Sequence, residues 1–388
     1  MKEVGLYVHI PFCKQKCKYC DFTSFDQKQE MIDEYIKWLC VEIQEVGEGI
    51  KEDIKNKYID EVKVKTIYIG GGTPSYINEN YIKEILKHIY ENYKVEKEAE
   101  ITIEINPGTV NKTKLLAYKE AGINRLSIGV QAVNNDLLKM LGRIHSYEEF
   151  KETYKLARSI GFKNINIDFM LGLPNQKIED INKIVSEIQI LKPEHVSVYS
   201  LILEDDTPIK KLVDENKLIM PAEELDREMY WLLKQSLEKQ GYIHYEISNF
   251  AQKGFESKHN LDCWSQKEYM GFGVGAHSYV DGARFSNINI LEEYIQNYKN
   301  NKQENNFELH EKQDKDAKMK EYMLLGLRKI KGIDCNQFET KFSKDVFEVF
   351  SKEIEKLLEK DLIEVEEGYI KLNNKGIDLA NIVWEEFV

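Results

Sequence analysis

Three cysteines near the start of the chain have the spacing of a metal-binding loop. Cys13, Cys17 and Cys20 form a C-x₃-C-x₂-C motif directly after a short apolar segment. Thiolates in such a loop can ligate a cubic iron–sulfur cluster, and because the motif supplies no fourth cysteine, one iron keeps an open coordination position for chemistry. Structural zinc sites take four ligands, so a zinc site would need a fourth ligand from elsewhere, such as His9 or Cys40. Spacing alone leaves both metals open.

Further residues suited to chemistry stand at the ends of segments that have the composition of β-strands. Glycine allows the backbone to turn tightly and to approach a ligand closely. A carboxylate inside a buried strand is costly unless it is paired, which favours a ligand role. The candidates at these strand ends are Gly70–Pro74, Glu104–Pro107, Gln131, Asp168 and Tyr199.

The elements that must position these residues alternate between strand and helix up to about residue 215. Such alternation indicates a parallel sheet with right-handed crossovers. Chemistry in parallel α/β folds collects at the carboxyl ends of the strands. Six strands that converge on one site therefore favour an α/β fold of the partial (β/α)6, TIM-like barrel type over an open doubly wound sheet. The predicted strands are Val4–Ile10, Val64–Ile69, Ala99–Ile105, Arg125–Val130, Asn164–Met170 and His195–Leu201.

The chain divides into three predicted parts. Residues 1–215 are assigned to the barrel and residues 216–300 to an extension of it. The polar run Asn300–Asn306 is interpreted as a linker. Residues 307–388 are predicted to form a small C-terminal domain, with helices followed by a hairpin that turns at Glu367 and Gly368, as in a winged helix.

Composition narrows the classes of function. The 388 residues carry a formal net charge of −13, and the part from Gln303 onward has 20 acidic and 14 basic residues. This balance argues against nucleic acid or an anionic membrane as a partner, even for a winged-helix-like domain. No segment approaches the roughly 18 apolar residues of a membrane span, and the first residues lack a signal-peptide pattern. We expect a cytoplasmic protein without a transmembrane segment, in which clustered cysteines indicate a metal or redox site.

The ordered motifs resemble those of radical S-adenosylmethionine (SAM) proteins. The resemblance rests on the cysteine motif after the first strand, the glycine-rich segment after the second and Glu104 near the end of the third. It implies a [4Fe–4S] cluster whose open iron is chelated by the amino and carboxylate groups of SAM. In that family an electron from the cluster cleaves SAM to methionine and a 5′-deoxyadenosyl radical, while the protein fixes the geometry.

A closer resemblance, over most of residues 5–280, is to the oxygen-independent coproporphyrinogen oxidase group. Its five motifs read Y-x-H-I-P-F-C-x₃-C-x-Y-C, G-G-G-T-P-S, G-V-Q, G-R-x-H and N-x-D-x-M-L-G-L-P in this chain. The resemblance implies that Gly71, Gly72 and Thr73 hold the SAM amino group, and that Glu104 holds another polar part of SAM. The other residues that it places beside the cluster or along the SAM and substrate pocket are Tyr7, Gln131, Arg143 and Asp168.

Each of these residues also has a structural interpretation. The glycines are suited to a tight turn, Glu104 to a charge near a helix N-terminus, and Arg143 with Asp168 to an ion pair. One such motif is weak evidence. Five in the same order favour the functional interpretation.

At two points the chain departs from the decarboxylating enzyme and instead resembles the heme chaperones of the same group. The enzyme has a further cysteine where this chain has Phe22, and an N-terminal extension where only six residues precede Tyr7. The heme chaperones also carry a segment similar to H-N-x-x-Y-W, and the chain has H-N-L-D-C-W at the corresponding place. The resemblance implies that His259 is an axial heme ligand and that Trp264 offers a flat apolar face. Cys263 replaces the tyrosine and is itself able to ligate heme iron.

We therefore expect a heme chaperone that carries a cluster and SAM, binds heme as its cargo and delivers it to apo-haemoproteins, with respiratory proteins as the first candidates. The alternative from the enzyme class is oxidative decarboxylation of coproporphyrinogen III, in which the radical abstracts a hydrogen from a propionate side chain. A barrel held together by zinc, without radical chemistry, is the third hypothesis.

Overall fold

The computed structural model describes residues 2–48 and 62–388. The elements of the first part are β1 (Lys2–Ile10), α1 (Ile32–Gly47), β2 (Val62–Gly71), α2 (Glu79–Asn92), β3 (Lys94–Ile105), α3 (Lys112–Glu120), β4 (Arg125–Gln131), α4 (Asn135–Leu141), α5 (Tyr147–Ile160), β5 (Ile165–Leu171), α6 (Ile178–Leu191) and β6 (His195–Ser200). The extension contains α7 (Pro208–Asp214), α8 (Glu223–Lys239), β7 (Ile243–Glu246), β8 (Asn249–Ala251), α9 (Lys258–Trp264), β9 (Tyr269–Phe272), β10 (His277–Val280), β11 (Ala283–Asn287), α10 (Leu291–Lys299) and β12 (Phe307–Lys312). The C-terminal part contains α11 (Lys315–Gly326), β13 (Ile333–Asp334), α12 (Cys335–Phe342), α13 (Val346–Val349), α14 (Ser351–Glu359), β14 (Ile363–Glu366), β15 (Tyr369–Leu372), α15 (Asn374–Asp378) and α16 (Ala380–Glu385).

Strands β1 to β6 stand side by side in chain order and form the centre of a 12-stranded sheet. Each of the first five pairs in parallel with the strand that follows it. Beyond β6 the sheet continues with antiparallel β8 and β7. On the other side β9 pairs in parallel with β1, and β10, β11 and β12 follow as antiparallel strands. The prediction of a partial (β/α)6 barrel is confirmed, with β9 as an additional parallel strand.

Side chains alternate between the two faces of the central strands. In β1, Val4, Leu6 and Val8 are at most 2% exposed and belong to the apolar core. In β5, by contrast, the polar side chains of Asn166 and Asp168 line the cavity described below. Successive side chains of a strand point to opposite faces of the sheet. One face of the barrel sheet is therefore apolar and packs in the core, while the other supplies polar groups to the interior.

Strand β12 corrects one predicted boundary. It pairs with β11 and so belongs to the large sheet, which means that the C-terminal domain begins after Lys312 and not at residue 307. The polar run before it is also part of the fold. Its last residue, Asn306, is fully buried and donates a hydrogen bond to the Tyr294 carbonyl (3.1 Å). A satisfied amide of this kind can lie inside a protein, which is why a polar segment need not be a linker.

The C-terminal domain contains a small sheet in the order β13-β15-β14 packed with helices, as expected for a winged-helix-like fold. The predicted hairpin joins β14 to β15, and both turn residues, Glu367 and Gly368, have positive φ (50° and 80°). Two residues of this conformation match the twist of a tight hairpin. Among the described helices, none combines the length and apolar character that crossing a bilayer requires.

A cation–aromatic contact joins the C-terminal domain to the barrel extension. The Arg328 guanidinium lies 4.3 Å from the ring centre of Trp264 in α9 and 5.0 Å from that of Trp384 in α16. Such contacts stabilise by roughly 0.5–2 kcal/mol each, depending on solvent exposure. The domain therefore packs directly against the segment that contains His259.

Candidate functional site

Backbone hydrogen bonds fix the cysteine loop at both ends. The Cys13 N–H donates to the Phe25 carbonyl (2.9 Å), and the Phe25 N–H donates to the Pro11 carbonyl (2.7 Å). Farther along the loop, the Lys18 N–H donates to the Leu141 carbonyl (3.0 Å) at the end of α4. The three thiols are thus held in a closed loop at the carboxyl end of β1.

The sulfur atoms of this loop receive hydrogen bonds from the surrounding barrel. The Thr73 hydroxyl donates to the Cys13 Sγ (3.4 Å), and the Arg143 guanidinium donates to the Cys17 Sγ (3.5 Å). Burial raises the pKa of Cys13 to about 11 and also raises the pKa of Cys20. In the metal-free protein these two thiols are neutral at pH 7, so metal binding must release their protons.

The distances between the three thiols distinguish a cluster site from a site for a single zinc ion. One tetrahedral zinc, with Zn–S bonds of about 2.3 Å, holds its sulfur ligands about 3.8 Å apart. Cys13, Cys17 and Cys20 do not form a group whose ligand atoms all lie within 4.8 Å of one another. A cubic cluster binds each thiolate to a different iron and therefore needs wider spacing. The loop fits the cluster better than a single zinc ion.

The His9 side chain forms a hydrogen bond with the backbone of the cysteine loop. Its Nε2 contacts the Thr23 carbonyl (2.8 Å), which can only accept, so Nε2 carries the proton. Its Nδ1 then accepts from the Tyr7 hydroxyl (2.9 Å). Burial lowers the pKa of His9 to about 4. Both ring nitrogens are engaged, so His9 is not a fourth metal ligand, and Tyr7 acts on the loop through His9 without lining the cavity.

Two glycines allow the second strand to approach the cysteine loop. Gly71 has φ of +115°, and a Cβ there would lie 2.7 Å from the His9 ring. A Cβ at Gly72 would lie 3.0 Å from the Cys13 Sγ and from the Pro11 backbone. A side chain at Gly71 would displace the His9 ring and adopt an unfavourable backbone conformation, and one at Gly72 would push against Cys13 and the Pro11 backbone.

A cavity of about 400 Å³ opens at the carboxyl ends of the parallel strands. Glu104 projects from β3 into it. Its carboxylate accepts hydrogen bonds from the Tyr68 hydroxyl (2.8 Å) and the Gly71 N–H (3.1 Å). Burial raises the pKa of Glu104 to about 7. The residues proposed from sequence that line this cavity are Cys13, Cys17, Cys20, Gly71, Gly72, Thr73, Glu104, Gln131, Arg143 and Asp168.

Arg143 joins the cysteine loop to the cavity. In addition to Cys17, its guanidinium donates to the Asn106 side-chain carbonyl (3.0 Å) and to the Gly129 carbonyl (2.5 Å). Asn106 also contacts His145 Nδ1 (3.1 Å). Burial, together with the charge of Arg143, lowers the pKa of His145 to about 3, so its neutral ring donates to Asn106. In the G-R-x-H motif, Arg143 is therefore the cation. The neutral ring of His145 orients Asn106, which accepts the hydrogen bond from Arg143.

Gln131 and Asp168 lie on the other wall of the cavity. Gln131 has a positive φ of 70°, an unusual conformation for a residue with a side chain, and such strain concentrates at functional sites. Asp168 accepts hydrogen bonds from the Asn166 amide (2.7 Å) and the Ser127 hydroxyl (3.4 Å). Burial raises the pKa of Asp168 despite these bonds. No ion pair joins Arg143 to Asp168 among the described residues, so the structural interpretation of these two is not supported.

Sequence reasoning did not identify Arg125 as a site residue. It begins β4, is 2% exposed and lines the cavity floor. Its Nε has no hydrogen-bond partner, and within the described ranges its side chain forms no ion pair. Its positive charge opposes the rise in the pKa of Glu104 and Asp168. The sequence could have indicated Arg125, because it stands two residues before Ser127 and therefore shares the polar face of β4.

The three residues proposed for heme differ in their surroundings. His259 is 7% exposed, its Nδ1 contacts the Thr66 hydroxyl (2.8 Å), and its ring stacks on Tyr68. Burial lowers the pKa of His259 to about 4. Cys263 is half-buried, and burial raises its pKa to about 12. Trp264 is covered by Arg328. In this conformation His259 lies inside the barrel, and one face of Trp264 is occupied.

The mouth of the cavity exposes apolar side chains. Phe22 and Ile202 are each 69% exposed, and both belong to the cavity lining. Phe22 lies in the cysteine loop, and Ile202 follows β6. Both side chains therefore add exposed apolar surface at the edge of the cavity.

Comparison with known proteins places this site in a family. The Radical SAM superfamily model matches residues 7–188, and the HemN C-terminal domain model matches residues 313–379. The protein named "Heme chaperone HemW" from Bacillus subtilis is 36% identical, over 98% of this chain and 98% of its own length. The protein of the same name from Lactococcus lactis is also 36% identical, over 100% of this chain and 98% of its own length.

A solved structure shares the whole fold. The coproporphyrinogen III oxidase HemN from Escherichia coli, described as a radical SAM enzyme, superposes with a TM-score of 0.83. The match covers 100% of this chain and 90% of that chain, at 24% sequence identity. At this identity the likeness establishes the architecture.

Proposed function

Because this chain belongs to the HemW family of radical SAM proteins, we propose that it is a heme chaperone that binds heme and passes it to apo-haemoproteins. The observation that carries this proposal is the 36% identity to proteins named as heme chaperones along essentially the whole chain. Phe22, where the decarboxylating enzyme has a further cysteine, points the same way. Respiratory haemoproteins are the recipients that we would test first.

The proposal includes a [4Fe–4S] cluster on Cys13, Cys17 and Cys20, and SAM in the adjoining cavity. The wide spacing of the thiols and their hydrogen bonds from Thr73 and Arg143 support the cluster. When bound, the reduced cluster supplies the electron that cleaves SAM. The protein contributes a fixed loop, a buried site and donors to the sulfur atoms.

Opposite charges would position SAM beside the cluster. Arg143 offers donors for its carboxylate, and Glu104 offers an acceptor for a polar group. Gly71, Gly72 and Thr73 line the cavity beside the cysteine loop, and we assign them to the amino group of SAM. Gln131 and Asp168 also line the cavity, and we assign to them the contacts with other polar atoms of SAM.

Heme ligation by His259 would require α9 to move. The imidazole can reach a heme iron only after it leaves the Thr66 hydroxyl and the Tyr68 ring. Movement of α9 would also separate Trp264 from Arg328 and so free its indole face. We propose that heme binds this opened segment, with Cys263 as an additional candidate ligand. The C-terminal domain, which carries Trp384 on the other side of Arg328, would control the opening.

An assay of two activities tests the proposal. The reconstituted protein, with SAM and a reductant under anaerobic conditions, is incubated with coproporphyrinogen III, and separately titrated with heme. We expect a Soret band on heme addition, transfer of the heme to an added apo-haemoprotein, and no protoporphyrinogen. Formation of protoporphyrinogen would establish the oxidase alternative instead. Absence of both heme binding and turnover would contradict both functions.

A further inference from the structure

A second group of potential metal ligands lies between α1 and α2. It consists of Cys40 on α1 and of Glu84 and His88 on α2. One ligand atom from each, a thiol sulfur, a carboxylate oxygen and an imidazole nitrogen, lies within 4.8 Å of the other two. Glu84 and His88 stand one helical turn apart and so share the face of α2 that meets α1. The group is independent of the cysteine loop.

Cys40 is a buried thiol, and His88 has a buried ring nitrogen that lacks a hydrogen-bond partner. Cys40 is 3% exposed, and burial and then the charge of Glu84 raise its pKa to about 12. The Nδ1 of His88 is buried and has no hydrogen-bond partner. Buried polar atoms are nearly always satisfied, and each exception calls for an explanation, such as an ion that the site binds.

The carboxylate of Glu84 is also free. It forms no ion pair or hydrogen bond with any described residue, although lysines stand on both sides of it along the helix. Lys83 pairs with Glu120 at 3.3 Å, and Lys87 pairs with Glu91 at 3.7 Å. The exposed carboxylate of Glu84 is therefore available to a metal ion on the side of the thiol and the imidazole.

We propose that Cys40, Glu84 and His88 form a zinc site that clamps α1 to α2. A thiolate, a carboxylate and a neutral imidazole together carry two negative charges, which one Zn²⁺ neutralises. Sulfur, nitrogen and oxygen ligands suit zinc, whereas magnesium and calcium prefer oxygen alone. Glu84 is exposed, so water completes the tetrahedron from the solvent side. Binding replaces the proton of the Cys40 thiol, which is released to solvent.

The bound zinc ion would restrain the cysteine loop from a distance. Helix α1 follows the cysteine loop in the chain and packs beside α2, which follows the glycine segment of β2. Fixing these two helices to each other restrains the two segments that meet at Cys13 and Gly72. The proposed zinc ion would therefore act on the cysteine loop only through these two helices, and heme and SAM bind elsewhere.

The test uses full-length protein with its iron–sulfur cluster reconstituted, so that the loop thiols are occupied. The protein is incubated with Zn²⁺ alone, passed through a desalting column and analysed for metals. We expect one zinc per chain, and a higher midpoint of thermal unfolding with zinc than without. Glu84→Gln should weaken zinc binding at least tenfold, and Cys40→Ala and His88→Ala should abolish it. Glu91→Gln, on the same helix, should bind like the parent.

Cobalt provides a second measurement that does not depend on stability. Co²⁺ at this site should give a thiolate-to-metal charge-transfer band, which Cys40→Ala removes and Cys335→Ala retains. Failure of the parent to retain zinc, or equal retention by the Glu84, Cys40 and His88 variants, would overturn the proposal.

Discussion

The Arg143 guanidinium donates a hydrogen bond to the sulfur of Cys17, at 3.5 Å. The same side chain reaches Asn106 in the cavity, so one cation contacts both the cysteine loop and the proposed cofactor pocket. This contact makes the charge on Arg143 a determinant of the electronic properties of whatever metal Cys17 binds. Hydrogen bonds to the sulfur ligands are among the features that set cluster potentials.

Arg143→Met should lower the reduction potential of the reconstituted cluster, because it removes a cation and a donor from the Cys17 sulfur. A net loss of about 1 kcal/mol corresponds to roughly 40 mV for a one-electron couple. The measurement is a redox titration followed by electron paramagnetic resonance. Arg143→Lys, which keeps the charge, should shift the potential less. An unchanged potential in the methionine variant would contradict the role given to Arg143.

Affinity for SAM should rise with pH around neutrality. The pKa of Glu104 is raised to about 7 by burial, so its carboxylate is largely protonated at pH 6 and ionised at pH 8. Only the ionised form attracts the cationic cofactor. Calorimetric titration of SAM into the reconstituted protein should therefore give a lower dissociation constant at pH 8 than at pH 6. Glu104→Gln should bind SAM more weakly and without this pH dependence; persistence of the dependence would assign it to another group.

The Glu104 carboxyl should have the opposite pH effect on stability. In the protein without cofactors, its contribution to the free energy of unfolding should fall as pH rises. A carboxyl whose folded-state pKa is raised binds more protons in the folded state than in the unfolded state, between about pH 4.5 and 7. Its contribution is present below this window and is lost as pH rises through it. In urea denaturation, the free energy of unfolding of the parent should fall between about pH 4.5 and 7, and that of Glu104→Gln should fall less. An identical pH profile for parent and variant would be inconsistent with the raised pKa.

Gly72→Ala should impair cluster assembly. Its Cβ would lie 3.0 Å from the Cys13 Sγ and from the Pro11 backbone, so the cysteine loop would have to shift. We expect fewer than half of the parent's irons after reconstitution, measured together with acid-labile sulfide. Thr73→Val is the matched control, because it removes the hydrogen bond to Cys13 without adding bulk. If both variants assemble a full cluster, the packing between these segments is not required.

Thr66→Val should strengthen heme binding if His259 becomes a ligand on opening of α9. The change removes the bond that holds the imidazole inside the barrel, at nearly constant volume. A net loss of about 1 kcal/mol in the closed state would tighten heme binding roughly fivefold. His259→Ala should weaken the Soret band. Equal heme affinity in both variants and the parent would place heme elsewhere, and the exposed Phe22 would be the next residue to test.

The barrel was predictable because its signals are local. Strands are enriched in β-branched and aromatic residues, and the predicted strand His195–Leu201, which contains two valines and a tyrosine, coincides with β6 to within one residue. Gly142 and Gly161 end α4 and α5 in the left-handed conformation that glycine favours. The cavity residues followed from their positions at strand ends.

Features that depend on distant partners were not predictable. Strand β9 has four residues, one of them glycine, and it becomes a strand by pairing with β1. The burial of His259 arises from Thr66 and Tyr68, which no pattern around residue 259 reveals. Likewise, the alternation of β1 puts Tyr7 and His9 on one face of the sheet, and their hydrogen bond could not be predicted from the sequence.

The pairing of β1 with β9 has a consequence for biosynthesis. The strand that leads into the cysteine loop is complete on one side only when residues as far as Phe272 have been made. At translation rates of 5–20 residues per second, the thiols precede this support by roughly 10–50 s. During that interval the nascent chain presents Cys13, Cys17 and Cys20 without their finished enclosure. Stable iron–sulfur insertion is therefore expected only after Phe272 has been made, and a pulse-chase experiment should find no iron on nascent chains that end before this residue.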